Sequence, residues 1–213
     1  MSIGSAISGL FLRSPIYRWL RRRRQQQELS RWLDGERSSP PPHLVKQNLI
    51  RRYAARFGCD TLVETGTYKG DMLLALQEQF RQLYSIELHQ GLHERVCQMF
   101  HGKPHVRLLQ GDSGERLGDV LSELDRPALF WLDGHFSAGQ TARGDLNTPV
   151  IAELERILAH PVKEHVVLID DARLFNGTDD YPTVEFLKAR LNQSGSFNVV
   201  IEDDAIAITR RAA

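Results

Sequence analysis

Five short apolar runs in this chain end on an acid or are followed closely by one. They are Thr61–Glu64, Leu83–Glu87, Val106–Leu109 leading to Gly111-Asp112, Ala128–Asp133 and His165–Asp170. One acid behind a strand is an ordinary solvated loop residue. Glu64, Glu87, Asp112, Asp133 and Asp170 on a single sheet edge are harder to dismiss, because like charges repel unless a cation or a hydrogen-bonded ligand lies among them. Such an edge could bind a cation, recognise hydroxyls and, with Asp171 beside Asp170, coordinate a hard metal. His135, two residues beyond Asp133, could take a proton from a substrate hydroxyl. It could equally ligate a metal or hydrogen-bond within its own loop.

The first of these loops is the most detailed. Glu64-Thr65-Gly66-Thr67-Tyr68-Lys69-Gly70 reads E-x-G-x-x-x-G, with Gly66 permitting close backbone approach and Gly70 opening a helix. It lacks the G-x-G-x-x-G of a pyrophosphate cradle, and an acid at the strand end repels pyrophosphate while attracting an ammonium group. Glu87 follows Glu64 by 23 residues, at the end of the next strand, where a carboxylate accepts hydrogen bonds from ribose hydroxyls. Asp112, with Ser113 beside it, could receive an adenine amino group. An adenosyl ligand with an amino-acid tail and no phosphate is S-adenosylmethionine.

The elements that must hold these residues are visible as periodicity. Val45, Leu49, Tyr53 and Phe57 predict a helix stopped by Gly58. Helical patterns follow with Met72, Leu73, Leu76 and Phe80, over 89–100, over 114–124, before His165 with Thr148 as N-cap and Pro149 as first residue, and over 183–192. Alternation of these with the five runs predicts an α/β, doubly wound, mostly parallel Rossmann-like sheet. Phe197–Glu202 and Ala205–Thr209, separated by Asp203-Asp204, predict a C-terminal antiparallel hairpin. Trp131, Phe130, Tyr84 and Phe100 read as core. Residues 136–147 are polar, a plausible lid in which Arg143 could meet an anionic acceptor.

Charge is distributed unevenly. The 213 residues carry 27 Lys+Arg and 27 Asp+Glu, so there is no whole-molecule basic field to suit a dedicated DNA binder. The arginines nevertheless concentrate before residue 42, at Arg13, Arg18 and Arg21-Arg22-Arg23-Arg24, behind an apolar stretch with Ile3, Ile7, Leu10 and Phe11 on one helical face. Residues 1–24 could contact an anionic membrane surface, pack on the domain or meet a sister copy in a homo-oligomer. A Pro-rich linker ends this arm at Pro42, so 1–42 is expected to be an extension and 43–213 the domain. Cys59 and Cys97 fit no disulfide framework, and a cytoplasmic location is expected.

The order and spacing of these motifs resemble a class I S-adenosylmethionine-dependent methyltransferase over about residues 59–210. Glu64–Gly70 is similar to the first motif of the catechol O-methyltransferase-like group, and Ile86-Glu87 resembles its ribose-binding position. Trp131-Leu132-Asp133 and Leu168-Ile169-Asp170-Asp171 resemble the motifs on strands four and five. Macrocin-type O-methyltransferases carry a similar arrangement of acids. The resemblance implies donor binding by Glu64, Thr65, Gly66, Thr67, Gly70, Glu87, Asp112, Ser113 and Asp133. It also implies catalysis by Asp133 and His135, and Mg²⁺ on Asp133, Asp170 and Asp171, although Asp171 stands where catechol-type enzymes carry an amide. The implied reaction is O-methylation of a sugar-containing or other small metabolite. An RNA methyltransferase using the basic arm, a nicotinamide-dependent oxidoreductase on a similar sheet, and a non-catalytic adapter are the alternatives.

Overall fold

The computed structural model describes residues 15–35, 37, 39–133, 149–192 and 195–211, with backbone only at 15–18 and 21. Its helices are α1 (Pro15–Asp34), α2 (His43–Phe57), α3 (Asp71–Leu76), α4 (Gln90–Met99), α5 (Ser113–Leu121), α6 (Val150–Ala159) and α7 (Val184–Asn192). The strands are β1 (Thr61–Thr65), β2 (Gln82–Glu87), β3 (Val106–Gln110), β4 (Leu129–Leu132), β5 (Val166–Ile169), β6 (Phe197–Glu202) and β7 (Ala205–Arg210). They form one sheet in the order β3-β2-β1-β4-β5-β7-β6. β1 to β5 run parallel, and β7 pairs antiparallel with both β5 and β6.

Burial explains the composition of the strands. β1, β4 and β5 are buried along their whole length and lack polar alternation, as expected of central parallel strands covered on both faces. Successive residues still face opposite layers. Along β4, Phe130 and Leu132 pack with Leu117, Val120, Leu154 and Leu187 of α5, α6 and α7. Leu129 and Trp131 pack with Leu49, Ile50, Leu73 and Val96 of α2, α3 and α4. Asp203 and Asp204 both adopt left-handed φ, 50° and 61°, so the Asp-Asp pair makes the primed type of turn that matches the twist of a hairpin.

Several local expectations shift. The helix after the first loop ends at Leu76, and Phe80 is buried beyond it. His89 is the N-cap of α4, its imidazole accepting from the Leu92 N–H at 3.2 Å, so that helix runs from Gln90 to Met99. The α5 segment ends three residues earlier than predicted, at Leu121. Pro149 stands at the N-cap of α6, and Thr148 lies outside the described residues. Pro15 opens α1, its fixed φ suiting a first helical position, and α1 packs along α2. Residues 1–14, His135, Arg143 and the 136–147 stretch lie outside the described residues. Among those described, no helix is long and apolar enough to cross a membrane.

Candidate functional site

The strand order reverses between β1 and β4, and the carboxyl ends of the strands flanking that point carry the acids. Thr65 pairs with Ile86 on one side and Leu132 on the other, and Leu132 pairs with Ile169. The ladder continues one step further, with the Asp133 N–H on Thr65 O at 3.1 Å and the Asp170 N–H on Leu132 O at 3.0 Å. Glu64, Glu87, Asp133 and Asp170 therefore share one crest, as the runs implied, and Asp112 follows β3 at the N-cap of α5.

Glu64 is buried on the central strand. Its Oε2 accepts from Ser85 Oγ at 2.5 Å, and Ser85 Oγ lies 2.6 Å from Thr67 Oγ1. A hydroxyl has one proton, so with Ser85 donating to Glu64, Thr67 donates to Ser85. Burial, opposed by the Ser85 hydrogen bond but reinforced by Asp133, Glu87 and Asp71, pushes the Glu64 carboxyl up to about 8. Each of the charged groups acting on it is an acid, so a ligand that carries positive charge to this position relieves the repulsion.

Glu87 is held differently. Its Oε2 accepts the Tyr68 N–H at 2.7 Å and its Oε1 the His89 N–H at 2.8 Å. Two backbone donors fix the carboxylate plane, and each oxygen keeps a second lone pair for a hydroxyl. The first loop reaches this geometry through left-handed residues at Gly66 (φ 84°), Tyr68 (φ 49°) and Gly70 (φ 74°). At Gly70 a Cβ would come within 3.2 Å of Val96 Cγ1, so the valine would have to give slightly, and the positive φ itself strains any side chain here.

Two site residues were missed in the sequence. Glu153 of α6 is 1% exposed, with Oε1 lacking a hydrogen-bond partner of normal geometry. Burial pushes its carboxyl up to about 7, against the nearby Ser113 and Thr65 hydroxyls, with Asp112 and Asp133 adding to the rise. Lys46 of α2 places Nζ in contact with Asp170 Oδ2 and 3.4 Å from Asp171 Oδ1. Both carried a signal. Lys46 precedes Leu49 and Ile50 by three and four residues, and Glu153 lies between Val150 and Ile157 at the same spacing, so each puts a charge on an apolar helix face.

No family model and no curated protein matches this chain. Solved structures do. The SAH-bound methyltransferase PaMTH1 from Podospora anserina is similar over 88% of this chain and 86% of its own, at 16% identity and TM-score 0.58. An O-methyltransferase from Bacillus cereus in complex with SAH is similar over 88% and 90%, at 12% identity and TM-score 0.57. The O-methyltransferase TomG from Streptomyces achromogenes in complex with SAM is similar over 89% of both chains, at 14% identity and TM-score 0.51. The chain has the class I methyltransferase fold.

On this methyltransferase fold, the set expected to hold Mg²⁺ does not fit a divalent ion as it stands. Asp133 and Asp170 are neighbours, but Asp170 Oδ2 is taken by Lys46 and Oδ1 by the Asp171 N–H at 2.8 Å. Asp171 Oδ1 receives Arg173 Nη1 at 2.8 Å, and Arg173 also contacts Asp204. Among the described residues, no group of three His, Cys, Asp or Glu side chains is placed to hold a metal. The acids are there; both oxygens of Asp170 and Oδ1 of Asp171 already accept from nitrogen donors.

Proposed function

We propose that the protein is an S-adenosylmethionine-dependent methyltransferase that methylates a hydroxyl of a sugar-containing or other small metabolite. The observation that carries this reading is the pair of carboxylates at the switch point, Glu64 buried among acids and Glu87 fixed by two backbone amides. The donor set suits a ligand with an ammonium group and a vicinal diol. Glu64 would receive the ammonium, with Thr65, Gly66, Thr67 and Gly70 shaping the backbone around it. Glu87 would receive the ribose hydroxyls, Asp112 and Ser113 the adenine edge, and Asp133 the methionine portion. The Bacillus cereus and Streptomyces relatives, both O-methyltransferases, support oxygen as the acceptor atom.

S-adenosylmethionine, when bound, supplies an electrophilic methyl group on a sulfonium. Methyl transfer to an acceptor hydroxyl would leave that hydroxyl's proton to be taken up by a base. His135 is the candidate for that base. The chain's own contribution is chiefly alignment, since a displacement of this type needs oxygen, carbon and sulfur in line. No step is assigned to Mg²⁺.

Differential scanning fluorimetry with S-adenosylmethionine, S-adenosylhomocysteine and NADH tests the reading. Both adenosyl compounds are expected to raise Tm, by RT ln(1 + [L]/Kd) in free energy, and NADH is not. Glu87→Ala should abolish the shift. Stabilisation by NADH alone would return the oxidoreductase reading.

A further inference from the structure

We infer that Lys46 is the resident cation of the acidic crest, standing beside Asp133, Asp170 and Asp171 where a divalent ion would otherwise gather, and that it makes this crest metal-free. The inference concerns the acceptor side of the proposed methyltransferase site and rests on that reading only for its chemical consequence.

The lysine is built into the place. It rises from the face of α2 that buries Leu49, Ile50 and Tyr53 against the sheet, and its side chain is 15% exposed. Asp170, its main partner, lies 124 residues away in sequence and has no exposed side-chain surface. Lys46 Nζ touches Asp170 Oδ2 and lies 3.4 Å from Asp171 Oδ1, so the lysine meets two carboxylates at once and serves there as a hydrogen-bond donor.

A hard divalent ion asks for something else. Mg²⁺ needs near-octahedral oxygen ligands at about 2.0–2.1 Å. To collect Asp133, Asp170 and Asp171 it would have to drive the Lys46 ammonium out of a mostly buried position and leave two like charges side by side. Arg173, already on Asp171 and Asp204, adds a second obstacle. Two of the three ammonium hydrogens are aimed at Asp170 and Asp171.

Mn²⁺ alone, followed by electron paramagnetic resonance, tests this on the full chain. Wild type and Lys46→Arg are expected to bind no stoichiometric Mn²⁺. Lys46→Ala is expected to gain one Mn²⁺ site, at least about tenfold tighter than any residual binding to wild type, and Lys46→Ala/Asp170→Asn to lose it again. One equivalent of Mn²⁺ on wild type, lost in Asp170→Asn, would overturn the inference. A folded Lys46→Ala that gains no site would also overturn it, and if that variant does not fold, wild type and Lys46→Arg decide. S-adenosylhomocysteine calorimetry on the same samples keeps the two claims apart. Failure of wild type to bind it removes the methyltransferase reading and leaves the Mn²⁺ result intact.

Discussion

Ser85 on β2 donates a 2.5 Å hydrogen bond to Glu64 on the adjacent β1, inside the sheet and away from solvent. This contact orients a carboxylate that burial and the surrounding acids hold protonated to about pH 8. A group in that state accepts a cation only by losing its proton.

Binding of S-adenosylhomocysteine, whose ammonium group Glu64 would receive, should therefore release close to one proton near neutral pH. Affinity should rise from about pH 6 to about pH 8, by up to about tenfold per unit, and level off above. Calorimetry in buffers of different ionisation enthalpy measures the released proton directly. Glu64→Gln should weaken binding by about 10–100-fold and flatten the pH dependence. Unchanged pH dependence in that variant would place the proton elsewhere.

Glu153 gives a stability prediction of the opposite kind. Its folded carboxyl titrates near 7, above the ordinary glutamate value of 4.5, so the folded state holds a proton that the unfolded chain gives up. This contribution is full below 4.5 and is lost as pH rises through 7. Glu153→Gln keeps the shape and cannot ionise. Thermal melts should show the variant stabilised by roughly 1–3 kcal/mol at alkaline pH, with the gain shrinking as the solution is acidified.

At the opposite sheet edge, His165 sets the acid limit. The Ala128 N–H donates to its Nδ1 at 3.1 Å, so the ring proton sits on Nε2 and is shared with His160 Nδ1 at 2.9 Å. Burial, then His160, pushes its pKa down to about 4 from the ordinary 6.5. The unfolded chain takes up the proton first. Stability should be full above 6.5 and fall as pH is lowered toward 4. Urea melts across that window should show the decline, and His165→Gln, which keeps an acceptor for Ala128, should flatten it.

Helix α1 is expected to contact anionic bilayers. Trp19 and Leu20 are 56% and 48% exposed, and Arg22, Arg23 and Arg24 are exposed beside them. Co-sedimentation with phosphatidylserine vesicles should exceed that with phosphatidylcholine, weaken with salt, and drop on Trp19→Ser/Leu20→Ser. Equal sedimentation with both lipids would remove the electrostatic component.

The strands and the acids behind them were legible in the chain because both are local. A run such as Leu129–Leu132 is apolar since a central parallel strand is covered on both faces, and Asp133 follows because the strand stops where solvent and ligand begin. The Asp203-Asp204 turn was legible for the same reason, two short acidic residues tolerating left-handed φ. What meets those acids was not local. Glu64 finds Ser85 only because β1 lies next to β2, and Glu153 comes near Ser113 and Thr65 only because α6 packs against α5. Lys46 reads as one charged residue on an amphipathic helix until α2 packs across β4 and β5 and sets its ammonium on Asp170. Sequence alone determined that carboxylates gather on one edge. The tertiary structure decided which cation answers them, because a salt bridge across 124 residues depends on strand order and helix docking, which no local pattern encodes.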